Sequence, residues 1–219
     1  MLSEHKGHHC QHRSDDFADI AAIIAPHKPQ TVVELGSDEG GFSAWLADLV
    51  APWGGVVYTF DIADKLKLGL THDFPNLRFA LADVLRAIHP TVAGLVSRPS
   101  VLLYCDNGNK QREVELYAPL LQAGSLLGVH DYGTEIKAEW VEPHVAALGY
   151  TPDGHERMEA LRNEWYPEPL TRLWLRKAVL TPPAAKPAPE SAKSPKPTPA
   201  QAAAPKAPAT AATKRRPKR

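Results

Sequence analysis

Residues Thr31–Asp61 read TVVELGSDEGGFSAWLADLVAPWGGVVYTFD, and the fold turns on this stretch. Thr31–Leu35 is a short apolar run rich in β-branched residues, the pattern of a parallel strand buried on both faces. Gly36, Gly40 and Gly41 follow at once, and Phe42, Trp45, Leu46, Leu49 and Val50 recur at helical spacing. Val56–Phe60 is a second apolar run that closes on Asp61. Strand, glycine turn, helix and strand make a βαβ unit, whose carboxyl end takes a nucleotide-like ligand.

The turn narrows the ligand. A dinucleotide site uses G-x-G-x-x-G, with the pyrophosphate on the helix N-terminus. Here the turn is E-L-G-S-D-E-G-G: the middle glycine is absent, and Asp38 and Glu39 put negative charge where a pyrophosphate would need room. A ligand with a cationic centre and no phosphate fits better. An NAD-dependent oxidoreductase is disfavoured on the same ground.

Outward from this stretch, α and β patterns alternate from Asp16 to Ala178. The spacing predicts helices over Asp16–Ala25 (capped by Ser14 or Asp15), around Ala63–Leu70, over Arg112–Gln122 with a break at Pro119, and over Glu135–Leu148. Further strands are expected at Leu77–Leu81, Ser100–Cys105, Ser125–Val129, from Leu148 through Tyr150, and at Arg172–Ala178, the last antiparallel. Asp83 reads as an N-cap for Val84–Ile88. Asp153–Pro169 reads as a loop-rich insert bearing Trp165 and Tyr166. The implied fold is one α/β domain, doubly wound and Rossmann-like, with a mostly parallel seven-stranded sheet.

The chain has 219 residues, 43% hydrophobic, and a formal charge of zero. That neutrality hides an asymmetry: residues 181–219 hold nine Lys and Arg against Glu190, a formal +8, which leaves −8 on residues 1–180. Ten of the 21 prolines also lie in this tail, which has no aromatic residue, so it is expected to be disordered. Its KRRPKR end suits weak contact with nucleic acid or acidic surfaces. The domains are therefore a flexible His-rich terminus (1–14), the α/β domain (15–180) and the basic tail (181–219). His5, His8, His9, Cys10 and His12 invite a metal reading, but a flexible terminus offers nothing to orient the ligands. Two cysteines, no signal-peptide core and no apolar run of about 20 residues lead to a cytoplasmic expectation.

The turn, with an acid closing each of the first two strands, resembles motif I of the class I S-adenosylmethionine-dependent methyltransferases. The resemblance implies that cofactor as ligand. Glu34, Gly36 and Ser37 would lie near its methionine end, with Gly40 giving close passage and Ser43 on the following helix. Asp61 would hold both ribose hydroxyls, Asp83 would lie near the adenine and Asp106 would border the cofactor. A carboxylate at a strand end suits a vicinal diol, having two acceptor oxygens.

The later segment YCDNGNKQREVELYAPLLQAGSLLGVHDYGTE, Tyr104–Glu135, is similar to the matching part of the metal-dependent O-methyltransferases. These include the catechol O-methyltransferase-like, macrocin O-methyltransferase and cephalosporin-hydroxylase-like groups. By that resemblance Asp106, His130 and Asp131 would hold a divalent ion, Mg²⁺, Mn²⁺ or Fe²⁺, and the acceptor would be a hydroxyl of a small molecule or sugar. His130 departs from the usual acid at its position, and imidazole suits Mn²⁺, Fe²⁺ or Zn²⁺ better than Mg²⁺. Without a metal, His130 would serve as general base. Lys110 is the other base candidate, on condition that its pKa is depressed. A nucleic-acid methyltransferase using the basic tail is the rival reading, opposed by CDNGN where amino-methylating enzymes carry an Asp-Pro-Pro-aromatic motif. A cofactor-binding scaffold without catalysis is the other alternative, and a homo-oligomer stays open.

Overall fold

The chain opens on a β-hairpin. In a computed structural model, which describes residues 2–13, 16–66, 69–153 and 171–178, β1 (Leu2–His5) pairs antiparallel with β2 (His8–Arg13). This hairpin occupies the segment read from the sequence as a flexible terminus, residues 1–14. His8, Cys10 and His12 alternate along β2 and are all buried, so the strand turns one face onto the domain. The predicted caps Ser14 and Asp15, the Trp165–Tyr166 insert and residues 181–219 lie outside the described residues.

Next come α1 (Asp16–Ile24), β3 (Thr31–Leu35), α2 (Gly41–Val50), β4 (Val56–Asp61), α3 (Leu70–Asp73), β5 (Leu77–Leu81) and α4 (Pro90–Val96). The second half holds β6 (Val101–Cys105), α5 (Lys110–Tyr117), β7 (Leu126–His130), α6 (Ala138–Ala147), β8 (Tyr150–Pro152) and β9 (Thr171–Arg176). The main sheet runs β5-β4-β3-β6-β7-β9-β8, parallel except that β9 is antiparallel to both of its neighbours. No helix among the described residues is long and apolar enough to cross a membrane.

Every position of β3, β6 and β7 is buried, which is why their sequences are mostly apolar, with Glu34 the charged exception inside β3. Alternate residues feed two cores. Val33, Leu35, Leu103 and Val129 pack on one face with α4, α5 and α6; Val32, Leu102 and Leu126 pack on the other with α1 and α2. Glu34 shares the second face and so points beneath α2. The order of strands reverses at β3, with β4 on one side and β6 on the other, and that is where an open α/β sheet makes its ligand crevice.

Four helix bounds differ from the sequence reading. The α5 helix begins at Lys110 because the Asn109 side chain accepts from the backbone of Arg112 (3.1 Å), and a short 3₁₀ turn takes over at Ala118, beside Pro119. The α6 helix begins late. The Asp131 carbonyl first accepts from Thr134, Glu135 and Ile136, holding residues 131–136 in a turn with Asp131 at φ 54°. The helical turn expected around Ala63–Leu70 appears instead at Leu70–Asp73. Val84–Ile88 forms bends rather than a helix.

Candidate functional site

The glycine turn places the first groups. Gly36 sits at φ 99°, and a Cβ there would lie 2.5 Å from the carbonyl oxygen of Asp106. Only glycine lets the tips of β3 and β6 come this close. Just before it, Glu34 is fully buried and accepts a short hydrogen bond from Ser43 of α2. Burial pushes its pKa up to about 8, against the opposing pull of Ser43 and Thr59. Its second oxygen, Oε1, has no partner, and the side chain borders a cavity of about 310 Å³.

Asp61, closing β4, borders the same cavity. Its Oδ2 accepts from the backbone N–H groups of Ser37 (3.0 Å) and Asp38 (3.1 Å), and its Oδ1 from that of Ala63 (3.0 Å). The carboxylate therefore builds the turn as well as facing the hollow. Asp38, at φ 45°, is held by Lys65 (3.0 Å) and by Gln11 of the hairpin (2.8 Å). Burial would raise the pKa of Asp38, but these two partners outweigh it and keep the acid below its usual range.

Asp106, at the tip of β6, completes the hollow and joins it to an imidazole cluster. His130 Nδ1 donates to Asp106 Oδ1 (2.9 Å), while His12 Nε2 lies 3.6 Å from Asp106 Oδ2 and 3.0 Å from the Tyr104 hydroxyl. The His12 ring is sandwiched between Phe42, at 3.7 Å, and His130, at 4.0 Å. Burial, with His130 and Lys110 adding to it, drives the His12 pKa well below its ordinary value. Burial also works against the charged form of His130, but the Asp106 carboxylate outweighs it and raises that pKa. Asp106 itself is raised by burial.

Lys110 is held as a cation, whereas a base needs a depressed pKa. Its ammonium is buried and donates to Asp131 Oδ2 (2.8 Å) and Glu135 Oε2 (2.7 Å), with Asp106 Oδ1 at 3.8 Å. Burial would lower its pKa, but the hydrogen bonds it donates to the two carboxylates reverse that and raise it, so the amine stays protonated. Asp131 is spent on this ion pair. Among the described residues, His12, Asp106 and His130 offer ligand atoms within 4.8 Å of one another.

The structure thus brings Glu34, Gly36, Ser37, Asp61 and Asp106 onto one cavity. Gly40 and Ser43 stand behind it: Gly40 precedes α2 at φ 84°, and Ser43 acts through Glu34. Asp83 is left out. It is exposed, beyond the outermost strand, and its Oδ1 takes the backbone N–H groups of Leu85 (3.0 Å) and Arg86 (3.2 Å). Sequence reasoning missed the placement of His12 and Gln11 on the cavity wall, and it missed Ile62, an apolar side chain 63% exposed at the rim. The period-two burial of His8, Cys10 and His12 was the available signal.

No protein-family model matches the sequence, and no curated protein matches it. Among solved structures, the chain is similar to CmcI in its apo form, with a TM-score of 0.61 and 16% identity over 80% of this chain and 76% of that one. It is similar to CmcI bound to Mg and SAM, with a TM-score of 0.55 and 18% identity over 80% and 77%. A protein described as a caffeoyl-CoA O-methyltransferase of Staphylococcus aureus gives a TM-score of 0.52 and 14% identity over 75% and 84%. The fold is that of the class I S-adenosylmethionine-dependent methyltransferases.

Proposed function

We propose that the chain is an S-adenosylmethionine-dependent methyltransferase acting on a hydroxyl of a small molecule. One observation carries the reading: Glu34, Asp61 and Asp106, at the ends of three adjacent parallel strands, border a single cavity where the strand order reverses. The likeness to CmcI in complex with SAM supports the choice of cofactor.

The residues present fit that group. The partnerless Oε1 of Glu34 is a buried acceptor suited to a cationic ligand. Gly36 opens the floor, and Ile62 supplies an apolar wall for a base. A carboxylate offers roughly four acceptor positions, and Asp61 spends three on backbone N–H groups. It therefore keeps acceptor capacity for the ribose. S-adenosylmethionine supplies a methyl group on a sulfonium. The protein's share is alignment of the acceptor oxygen and removal of its proton. His12, on the cavity wall beside Asp106, is placed to meet that proton, with His130 behind it.

Titration calorimetry tests the reading. S-adenosylhomocysteine should bind in the micromolar range and NAD should not. Asp61→Ala should weaken that binding, whereas Asp106→Ala and His130→Ala should chiefly lower turnover. Binding of NAD in place of S-adenosylhomocysteine would sink it.

A further inference from the structure

We propose that Cys10 is a modification site for small uncharged oxidants and electrophiles that enter the cavity, and that its modification shuts out the cofactor. The inference rests on the methyltransferase reading for what is shut out, and it adds regulation to that site.

The chain has two cysteines, and the structure places them differently. Cys105 lies inside β6, wholly buried in the core beneath α4, α5 and α6, and does not border the cavity. Cys10, on β2, is 2% exposed and borders the cavity, so a reagent approaches it through the hollow. The same wall carries Glu34 Oε1, a fully buried acceptor with no partner, which marks the hollow as a place that a ligand occupies.

The thiol belongs to a line of three groups. Cys10 Sγ lies 3.6 Å from His12 Nδ1, and His12 Nε2 lies 3.6 Å from Asp106 Oδ2. The carboxylate favours the tautomer with the ring proton on Nε2. The Tyr104 hydroxyl, 3.0 Å from that nitrogen, then accepts from it and donates to Thr171 Oγ1 at 3.1 Å. Nδ1 is left as an acceptor facing the sulfur. A base so placed takes the thiol proton as the sulfur attacks.

The cavity sorts reagents by charge. Glu34, Asp38, Asp61 and Asp106 border it, and Lys65, the lysine on its wall, is paired with Asp38. Anions are repelled, whereas neutral molecules enter freely. With hydrogen peroxide, an S–O bond forms as the O–O bond breaks, and the sulfur gives up two electrons to become a sulfenic acid. The thiol proton passes through His12 Nδ1 to the leaving hydroxide, which departs as water. With iodoacetamide, an S–C bond forms as the C–I bond breaks; iodide leaves and the proton is released to solvent. Either product adds atoms to the wall of a cavity of about 310 Å³.

The full chain, without cofactor, is treated with peroxide in the presence of dimedone, which traps sulfenic acids, and its peptides are mapped by mass spectrometry. Cys10 should carry at least ten times the label of Cys105. Iodoacetamide should react with Cys10 at least tenfold faster than iodoacetate, each rate being taken relative to that with free glutathione. Calorimetry should then show binding of S-adenosylhomocysteine weakened at least tenfold by iodoacetamide, and weakened by peroxide in a way that dithiothreitol reverses. In Cys10→Ser, treated and untreated protein should bind it alike. Equal labelling of the two cysteines, no preference for the neutral reagent, undiminished binding by labelled wild type, or the same loss in treated Cys10→Ser would each overturn the proposal. Untreated wild type that fails to bind S-adenosylhomocysteine would sink the methyltransferase reading, while the labelling of Cys10 reports on the modification site by itself.

Discussion

His12 lies ring on ring with His130, their centroids 4.0 Å apart and their planes 23° from parallel. One comes from the hairpin and the other from the tip of β7. Phe42, stacked on the opposite face of His12 at 5°, ties the pair to the first turn of α2. The N-terminal strand is thus part of the cavity wall, and its position depends on a few close approaches.

The closest of these predicts a separation of hairpin from domain. A Cβ on Gly41 would collide with the backbone carbonyl of His9. Gly41→Ala should displace β2 while leaving the main sheet folded. Limited proteolysis should then cut within residues 2–13 well before the domain, with an unchanged far-UV spectrum. Equal protease resistance in the variant and the wild type would show that the hairpin tolerates the shift.

Lys110 should matter for stability more than for proton transfer. Lys110→Met leaves Asp106, Asp131 and Glu135 without their shared cation. Removing one partner of a buried ion pair costs about 3–5 kcal/mol, and the half-exposed Glu135 argues for about 2–3 kcal/mol here. Denaturant unfolding should show that loss. If stability is unchanged and turnover alone collapses, Lys110 is a base after all.

The sheet was legible because β3, β6 and β7 are covered on both faces, so their sequences are dominated by apolar residues. Asp106 follows β6 and Asp61 closes the apolar run of β4, so both were readable. The hairpin was not, because its inward positions are histidine and cysteine, and what buries His12 is Phe42 and His130, remote in sequence. Asp83 misled in the opposite way. It follows a strand as Asp61 does, but β5 is the outermost strand and Asp83 is exposed. Lys110 follows Asp106 by one helical turn; the carboxylates that hold it protonated, Asp131 and Glu135, come from the segment after β7.

Glu113 should tilt stability with pH. It is fully buried, and burial raises its pKa to about 8. The folded chain then holds a proton that the unfolded chain releases near pH 4.5, so this group's contribution falls as pH rises from about 4.5 to 8. Glu113→Gln should flatten that slope. Thermal unfolding from pH 5 to 8.5 would read it, at about 2–4 °C per kcal/mol for a chain of this size. A variant with the wild-type slope would place the titration elsewhere.

Glu34 should make cofactor binding depend on pH through the same physics with the opposite consequence. Before a ligand binds, its pKa of about 8 leaves the carboxyl mostly protonated at neutral pH. A cationic ligand favours the carboxylate, so binding must expel the proton. Affinity should therefore rise with pH up to about 8, approaching tenfold per unit well below that value, and level off above it. Calorimetry with S-adenosylhomocysteine in buffers of different ionisation enthalpy should detect close to one proton released at pH 6.5. The ligand's own amine also titrates, so the informative quantity is the difference between wild type and Glu34→Gln. The glutamine variant should bind more weakly at pH 8.5 and should lose the Glu34-dependent part of the rise. Parallel pH profiles for the two proteins would mean that Glu34 does not face the charged end of the cofactor.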